Sequence, residues 1–84
     1  VWKPAEDSPL MGQRFAEVLE EAGLPPGVLN LVQGDGPGAG QPLLEHDDVR
    51  LVSFTGSTET GRLIGERCGR TLKRSCLELG GKNA

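Results

Sequence analysis

The sequence predicts an α/β fold: an open parallel sheet with alternating strands and helices, Rossmann-like and incomplete within these residues. Three observations carry that expectation. Short extended stretches alternate with longer helical ones along the whole chain, the pattern of strands joined by right-handed crossovers. Residues 51–54 are apolar on both faces apart from Ser53, as suits a strand inside a parallel sheet. Glycine and polar residues gather just past the ends of the predicted strands, where open α/β sheets bind ligands.

Val1-Trp2-Lys3-Pro4 reads as the end of a strand, because Pro4 holds Lys3 extended. A helix follows, with Ser8 as N-cap, Pro9 at its first position and acidic Glu6 and Asp7 just ahead. Met11, Phe15, Val18 and Ala22, with Leu19, form its expected apolar face. Gly23 ends it in a left-handed conformation, and Pro25-Pro26 block its resumption. Val28-Leu29-Asn30-Leu31-Val32 reads as a second strand, followed by a glycine-rich loop and a short helix over 38–45 with Leu43 and Leu44 turned inward. The third strand covers 49–54. A second long helix begins near Ser57 and runs toward Cys68, ending at Gly69, with Leu63, Ile64 and Cys68 on one face. Gly61 and Gly65 leave another face almost bare, so that something can pack very close there. Residues 72–79 form the last strand.

The 84 residues carry a net charge of −3, 36% apolar residues, one Trp, two Phe and no Tyr. A domain of that size buries only roughly 60% of its unfolded surface. The chain opens on Val1-Trp2-Lys3 and stops directly after a motif, so it reads as a piece of a larger domain that would fold poorly alone. Slight acidity with both signs interspersed argues against nucleic-acid or anionic-membrane partners. No apolar run approaches the roughly 20 residues of a membrane span, and no signal-peptide pattern is present. Cys68 and Cys76 form no Cys-x-x-Cys pair and have no partners at zinc-ligand spacing, so no metal is expected. Both read as buried structural thiols, and a reducing cytoplasm is the expected compartment.

The chain is organised around Leu77-Glu78-Leu79-Gly80-Gly81-Lys82-Asn83-Ala84. A carboxylate ends an apolar strand there, and two glycines let the backbone turn sharply. A partly buried carboxylate in such a place can act as a general base; the plainer reading is a strand-ending Glu and a tight turn. Phe54-Thr55-Gly56-Ser57-Thr58 leads from a strand into a helix start with three hydroxyls. It can bind a phosphate on the free helix N–H groups, or Ser57 can simply cap the helix; the bare Gly61 and Gly65 face favours the phosphate. Lys3 and Glu6 are either a solvated charge pair or a ribose site, in which case Glu6 repels a 2′-phosphate and selects NAD over NADP. Gly34-x-Gly36-x-x-Ala39 superficially matches a dinucleotide fingerprint. Yet Pro37 removes a donor and Glu59 opens a helix instead of ending a strand, so the loop reads as a connection near the ligand. His46, near the end of a short helix, reads as a favourable dipole contact. Lys3, Gln33-Gly34, Thr55-Gly56-Ser57 and Glu78-Leu79-Gly80, all at strand carboxyl ends, should line one edge facing one ligand, with Glu78 on the same side of the sheet as the helix start.

Lys3-Pro4-Ala5-Glu6, Gly23-Leu24-Pro25-Pro26-Gly27-Val28-Leu29-Asn30, Phe54-Thr55-Gly56-Ser57-Thr58-Glu59-Thr60-Gly61 and Leu77-Glu78-Leu79-Gly80-Gly81-Lys82 stand in one order. With them the sequence resembles the aldehyde dehydrogenase superfamily from residue 1 to 84, as part of its NAD(P)-binding domain. The resemblance implies that Lys3 and Glu6 hold the adenosine ribose, Gly34 neighbours the adenine, and Ser57 holds the pyrophosphate. It implies that Thr55 and Gly56 flank the nicotinamide half, with the Leu79 backbone close to the ring, and that Glu78 is the general base. It also implies oxidation of an aldehyde to a carboxylic acid through a cysteine thiohemiacetal and thioester, by a homo-oligomeric parent. The nucleophilic cysteine, an oxyanion asparagine and the oligomerisation segment of that family fall outside these residues, so the chain alone is expected to be inactive. A CoA-acylating or semialdehyde-specific relative, and a non-catalytic nucleotide-binding or structural relative, remain as alternatives; Glu78 favours hydrolysis.

Overall fold

The computed structural model describes residues 1–80. It falls into two compact units, Val1–Pro42 and Leu43–Ala84.

The first unit is built on helix α1, Pro9–Glu21. Ser8 is its N-cap residue and Pro9 opens it, as the sequence requires. Its end is a Schellman turn: Gly23 stands at φ +100°, its N–H donates to the Glu20 carbonyl at 3.0 Å, and the Leu24 N–H donates to Leu19 at 3.1 Å. The buried face differs from the expected one. Leu19 is half-buried as expected, but its buried companions are Gly12 and the half-buried Ala16, whereas Ala22 is exposed and Met11, Phe15 and Val18 are 76%, 54% and 44% exposed. The reason is a close approach. Pro4 is buried against Gly12, where an added Cβ would stand 2.7 Å from Pro4 Cγ. The Gln33 amide also donates to the Pro9 carbonyl at 2.9 Å. These contacts fix the rotation of α1 and turn the larger side chains outward, where Phe15 meets only the edge of Trp2 at a centroid distance of 5.5 Å.

The two strands expected in this unit shrink to a single parallel bridge, Trp2 with Leu31. Trp2 N–H donates to Asn30 at 2.8 Å and Val32 N–H to Trp2 at 2.9 Å. On one strand Pro4 has no N–H with which to continue the ladder. On the other, residues up to Asn30 are taken up by the turn at Gly27, whose carbonyl accepts the Asn30 side chain at 3.0 Å. The glycine-rich loop then coils into a π-helical turn, Gly36–Gly40, continued by helix α2, Gln41–Glu45.

The second unit is a β–α–β arrangement. Strand β1, Leu51–Gly56, pairs in parallel with β2, Arg74–Leu79, in the register Leu51 to Arg74 through Gly56 to Leu79. Helix α3, Thr58–Arg70, joins them. Ser57 caps it by accepting the Thr60 N–H at 3.1 Å, and Arg67 and Arg70 lie in its last turn beside the negative helix end. The chain returns through Leu72 at φ +58°. Lys73 ties that return to the approach of β1, donating to the carbonyls of His46 and, at 2.6 Å, Val49.

Strand β1 is covered on one face only, contrary to the reading of a doubly buried strand. Val52, Phe54 and Gly56 are half-buried, while Leu51, Ser53 and Thr55 are exposed. Helix α3 packs on the first set, and no described element of this unit covers the second. Cys68 on α3 is 1% exposed. Cys76 on β2 is exposed, so the expectation of two buried thiols holds for Cys68 alone. Leu63, expected beside Cys68 on the inner face, is 60% exposed. Among the described residues no helix is long and apolar enough to cross a membrane.

Candidate functional site

The strand ends of the second unit bring five of the singled-out residues together. The register places Thr55 beside Glu78 and Gly56 beside Leu79, and Ser57 follows immediately as the cap of α3. The Ser57 hydroxyl accepts the Thr60 N–H and donates to Thr60 Oγ1 at 3.0 Å. Its carbonyl accepts the Gly61 N–H at 2.9 Å. The N–H groups of Thr58 and Glu59, at the first two helical positions, have no acceptor within the helix. They point from the positive end of a 13-residue helix, where an anion is favoured.

Side chains alternate along β2. Leu77 and Leu79 point at α3: the Leu77 side chain lies 3.5 Å from the Cβ position of Gly65, and Leu79 Cδ2 lies 2.3 Å from that of Gly61. Glu78 between them therefore projects from the opposite face, next to Thr55 and on the side of Cys76. This corrects the expectation that Glu78 shares a face with the helix start. What the two share is the strand end. Glu78 is exposed, not partly buried. Gly81, the second glycine of the expected turn, lies outside the described residues together with Lys82, Asn83 and Ala84.

The close approach anticipated at Gly61 and Gly65 is present at Gly61, where Leu79 of the same chain occupies it, while at Gly65 Leu77 stands at ordinary contact distance. It therefore lends no support to a phosphate. Gly56 has a similar explanation: an added Cβ would fall 2.5 Å from the Phe54 ring, which lies over it.

In the first unit, Lys3 and Gly34 are in direct contact. The Lys3 ammonium donates to the Gly34 carbonyl and to the Pro4 carbonyl, each at 3.0 Å, and its stem passes 3.5 Å from the Cβ position of Gly40. Gly34 itself stands at φ +148°, with Ala39 Cβ only 2.8 Å from the place a Cβ would take. Glu6 sits in an exposed turn ahead of α1.

The loop after Gly34 spends its donors on itself. The Asp35 carboxylate accepts the Gly38 N–H at 2.6 Å, and its carbonyl accepts Ala39 at 3.0 Å and Gly40 at 3.1 Å. Pro37 has no N–H. Few amides remain for a pyrophosphate, consistent with reading the loop as a connection. Asp35 is the residue that sequence reasoning passed over. Its signal was an N-cap side chain two residues before a proline, as at the start of any short helix. His46 closes a turn past the end of α2, its Nδ1 accepting the Asp48 N–H at 3.0 Å.

Comparison with known proteins follows the same residues. The model of the aldehyde dehydrogenase family matches residues 1–84. Phenylacetaldehyde dehydrogenase of Pseudomonas fluorescens is 58% identical over 83 residues, covering 99% of this chain and 16% of that protein. Among solved structures, an aldehyde dehydrogenase of Bartonella henselae superposes with a TM-score of 0.89 at 54% identity, over 98% of this chain and 17% of its own. PnpE of Pseudomonas sp. WBC-3, solved in complex with nicotinamide adenine dinucleotide, gives 0.88 at 54% identity, with the same shares covered. The chain thus spans about a sixth of the length of these relatives, and it belongs to the aldehyde dehydrogenase family.

Proposed function

We propose that the chain is part of the Rossmann-like NAD(P)-binding domain of a longer enzyme that oxidises an aldehyde to a carboxylic acid. The single observation that supports this most is the strand end where Thr55, Gly56, Glu78 and Leu79 stand in register beside the capped start of α3. That end offers two helix N–H donors to a pyrophosphate and, one strand away on the other face of the sheet, an acceptor carboxylate, a combination that supports a dinucleotide site. When bound, the cofactor supplies a hydride acceptor.

The chain's own residues divide the remaining work. Ser57 orders the helix start, whose amides bind the pyrophosphate. Thr55 and Gly56 flank the nicotinamide half, and the Leu79 backbone lies against it. In the first unit Lys3 and Glu6 take the ribose hydroxyls and Gly34 borders the adenine. Lys3 donates to two carbonyls, and an ammonium group has three donors, which supports a further bond to a ribose oxygen. Glu78 accepts a proton from the water that attacks an enzyme-bound thioester carbonyl; the carbon–sulfur bond then breaks, the thiolate leaves and the acid is released. The cysteine that forms the thioester is supplied by another part of the enzyme.

The test is Glu78→Gln in the full-length enzyme, an isosteric change that removes the base. NAD should bind nearly as before and the first-turnover burst should persist. Steady-state turnover should fall by about 10²–10⁴-fold where deacylation limits the rate. Unchanged turnover there would remove the base role. NAD is the expected cofactor because Glu6 would stand against a 2′-phosphate. Glu6→Ser should therefore raise kcat/KM for NADP relative to NAD, and an unaltered ratio would withdraw the ribose assignment. A cytoplasmic, homo-oligomeric parent completes the reading; a mouse relative at 55% identity is named cytosolic aldehyde dehydrogenase 1.

A further inference from the structure

The geometry points to Gly61 as a positioning residue for the Glu78 carboxylate, acting through Leu79. The inference rests on the base role proposed for Glu78. Gly61 is one of two buried residues of α3 and lies one turn beyond the Ser57 cap, whose carbonyl accepts its N–H. A Cβ at this position would stand 2.3 Å from Leu79 Cδ2, 2.9 Å from Cδ1 and 3.2 Å from Cγ. The isopropyl end of Leu79 thus fills the space that a side chain at 61 would need.

The approach is local. One turn on, a Cβ at Gly65 would be in ordinary contact with Leu77 Cδ1 at 3.5 Å, and at Gly69 it would meet nothing within 4 Å. The tight fit therefore falls at the end of the helix and strand that carries the site, not along the whole interface. Leu79 is the neighbour of Glu78 in the chain and the ladder partner of Gly56. Seating its side chain on the bare turn of α3 fixes the height of the last strand residues above the helix start. Since successive side chains leave a strand on opposite faces, anchoring Leu79 inward aims Glu78 outward. Atoms at residue 61 would lift Leu79 off the helix and carry the carboxylate with it. Misplacement of a reacting group by about 1 Å can cost on the order of 10²-fold in rate.

The experiment uses the full-length enzyme with Gly61→Ala, Gly61→Val, Gly65→Ala, Leu79→Ala and the double variant Gly61→Ala/Leu79→Ala, with Glu78→Gln as reference. Active sites are counted by the amplitude of the first-turnover burst, and deacylation is read from the steady state per active site. Gly61→Ala should keep its burst, lose about tenfold or more in steady-state rate and shift KM for NAD less than kcat; Gly61→Val should lose more. Gly65→Ala should be unaffected. The double variant should recover most of the loss, because removing Cγ and both methyl groups of Leu79 vacates the contested space. Leu79→Ala alone should also slow deacylation, which keeps the inference testable if Gly61→Ala does not fold. An unchanged rate per counted site in Gly61→Ala, or in Leu79→Ala where the former does not fold, would overturn the inference while Glu78→Gln still slows turnover. If Glu78→Gln itself leaves turnover unchanged, it is the base role that falls.

Discussion

Helices α1 and α3 are near-copies in plan and differ in what holds them. Each has 13 residues, a serine at the N-cap and a buried glycine at the fourth helical position. Each glycine admits a neighbour that a methyl group would strike: Pro4 at Gly12, 2.7 Å away, and Leu79 at Gly61, 2.3 Å away. The resemblance ends at the sheet. Helix α3 packs on a six-residue parallel ladder, while α1 adjoins one bridge between Trp2 and Leu31. It ends as well at the cap, where Ser57 bonds the Thr60 amide but the Ser8 side chain makes no cap hydrogen bond. Local chemistry and sheet together build the start of α3. The start of α1 is held from outside by Pro4 and by the Gln33 amide on the Pro9 carbonyl. A site placed at the α3 start can rely on a fixed strand end, which is why the catalytic reading is strongest there.

The largest stability effect expected from this contrast is at Gly12. Gly12→Ala gains helix propensity, about 1 kcal/mol, but must displace Pro4, whose ring atoms belong to a rigid pyrrolidine. Overpacking of this kind costs typically 1–3 kcal/mol, and the atoms of a proline ring cannot rotate away. The net effect should be destabilising and confined to α1. Hydrogen exchange in the full-length protein should show faster opening of the α1 amides with α3 unchanged. Protection of α1 left intact or increased would mean that Pro4 yields, and that external contacts do not hold this helix.

How much of this was legible follows from which forces are local. Both helix starts and the Gly23 stop were readable, because the Ser57 cap of α3, the proline at the first position of α1 and a glycine at φ +100° act over a few residues, although Ser8 itself makes no cap hydrogen bond. The rotation of α1 was not. Met11, Phe15 and Val18 have the right period, but so do Gly12 and Ala16, which go inward with the expected Leu19 because small residues let the backbone close in on Pro4. The strand end of the site was readable from the alternation of elements. The face that Glu78 takes was also written in the sequence: Leu77 and Leu79 flank it and must point inward together. It was missed because the glycines of α3 were assigned to a ligand when leucines of the same chain were available to fill them. Exposure of Cys76 and Glu78 could not be read locally, since it depends on what covers the outer face of β2.

The finest test of the comparison uses the two capping serines. Ser57→Ala removes an acceptor 3.1 Å from the Thr60 N–H and a partner of the Thr60 hydroxyl. Loss of a working cap costs typically about 1 kcal/mol. At Ser8 the backbone stands at φ −132°, ψ 47°, and the side chain bonds no helix amide, so Ser8→Ala should change stability by no more than about 0.5 kcal/mol. The two variants should therefore separate in hydrogen exchange at the first turn of their own helices, with α3 fraying and α1 unmoved. Ser57→Ala should also weaken NAD binding, because frayed amides no longer converge on one anion, and the loss should shrink as salt screens the helix end. Equal fraying of the two helices would show that their starts are held alike, and that the second unit owes its site to the ladder alone.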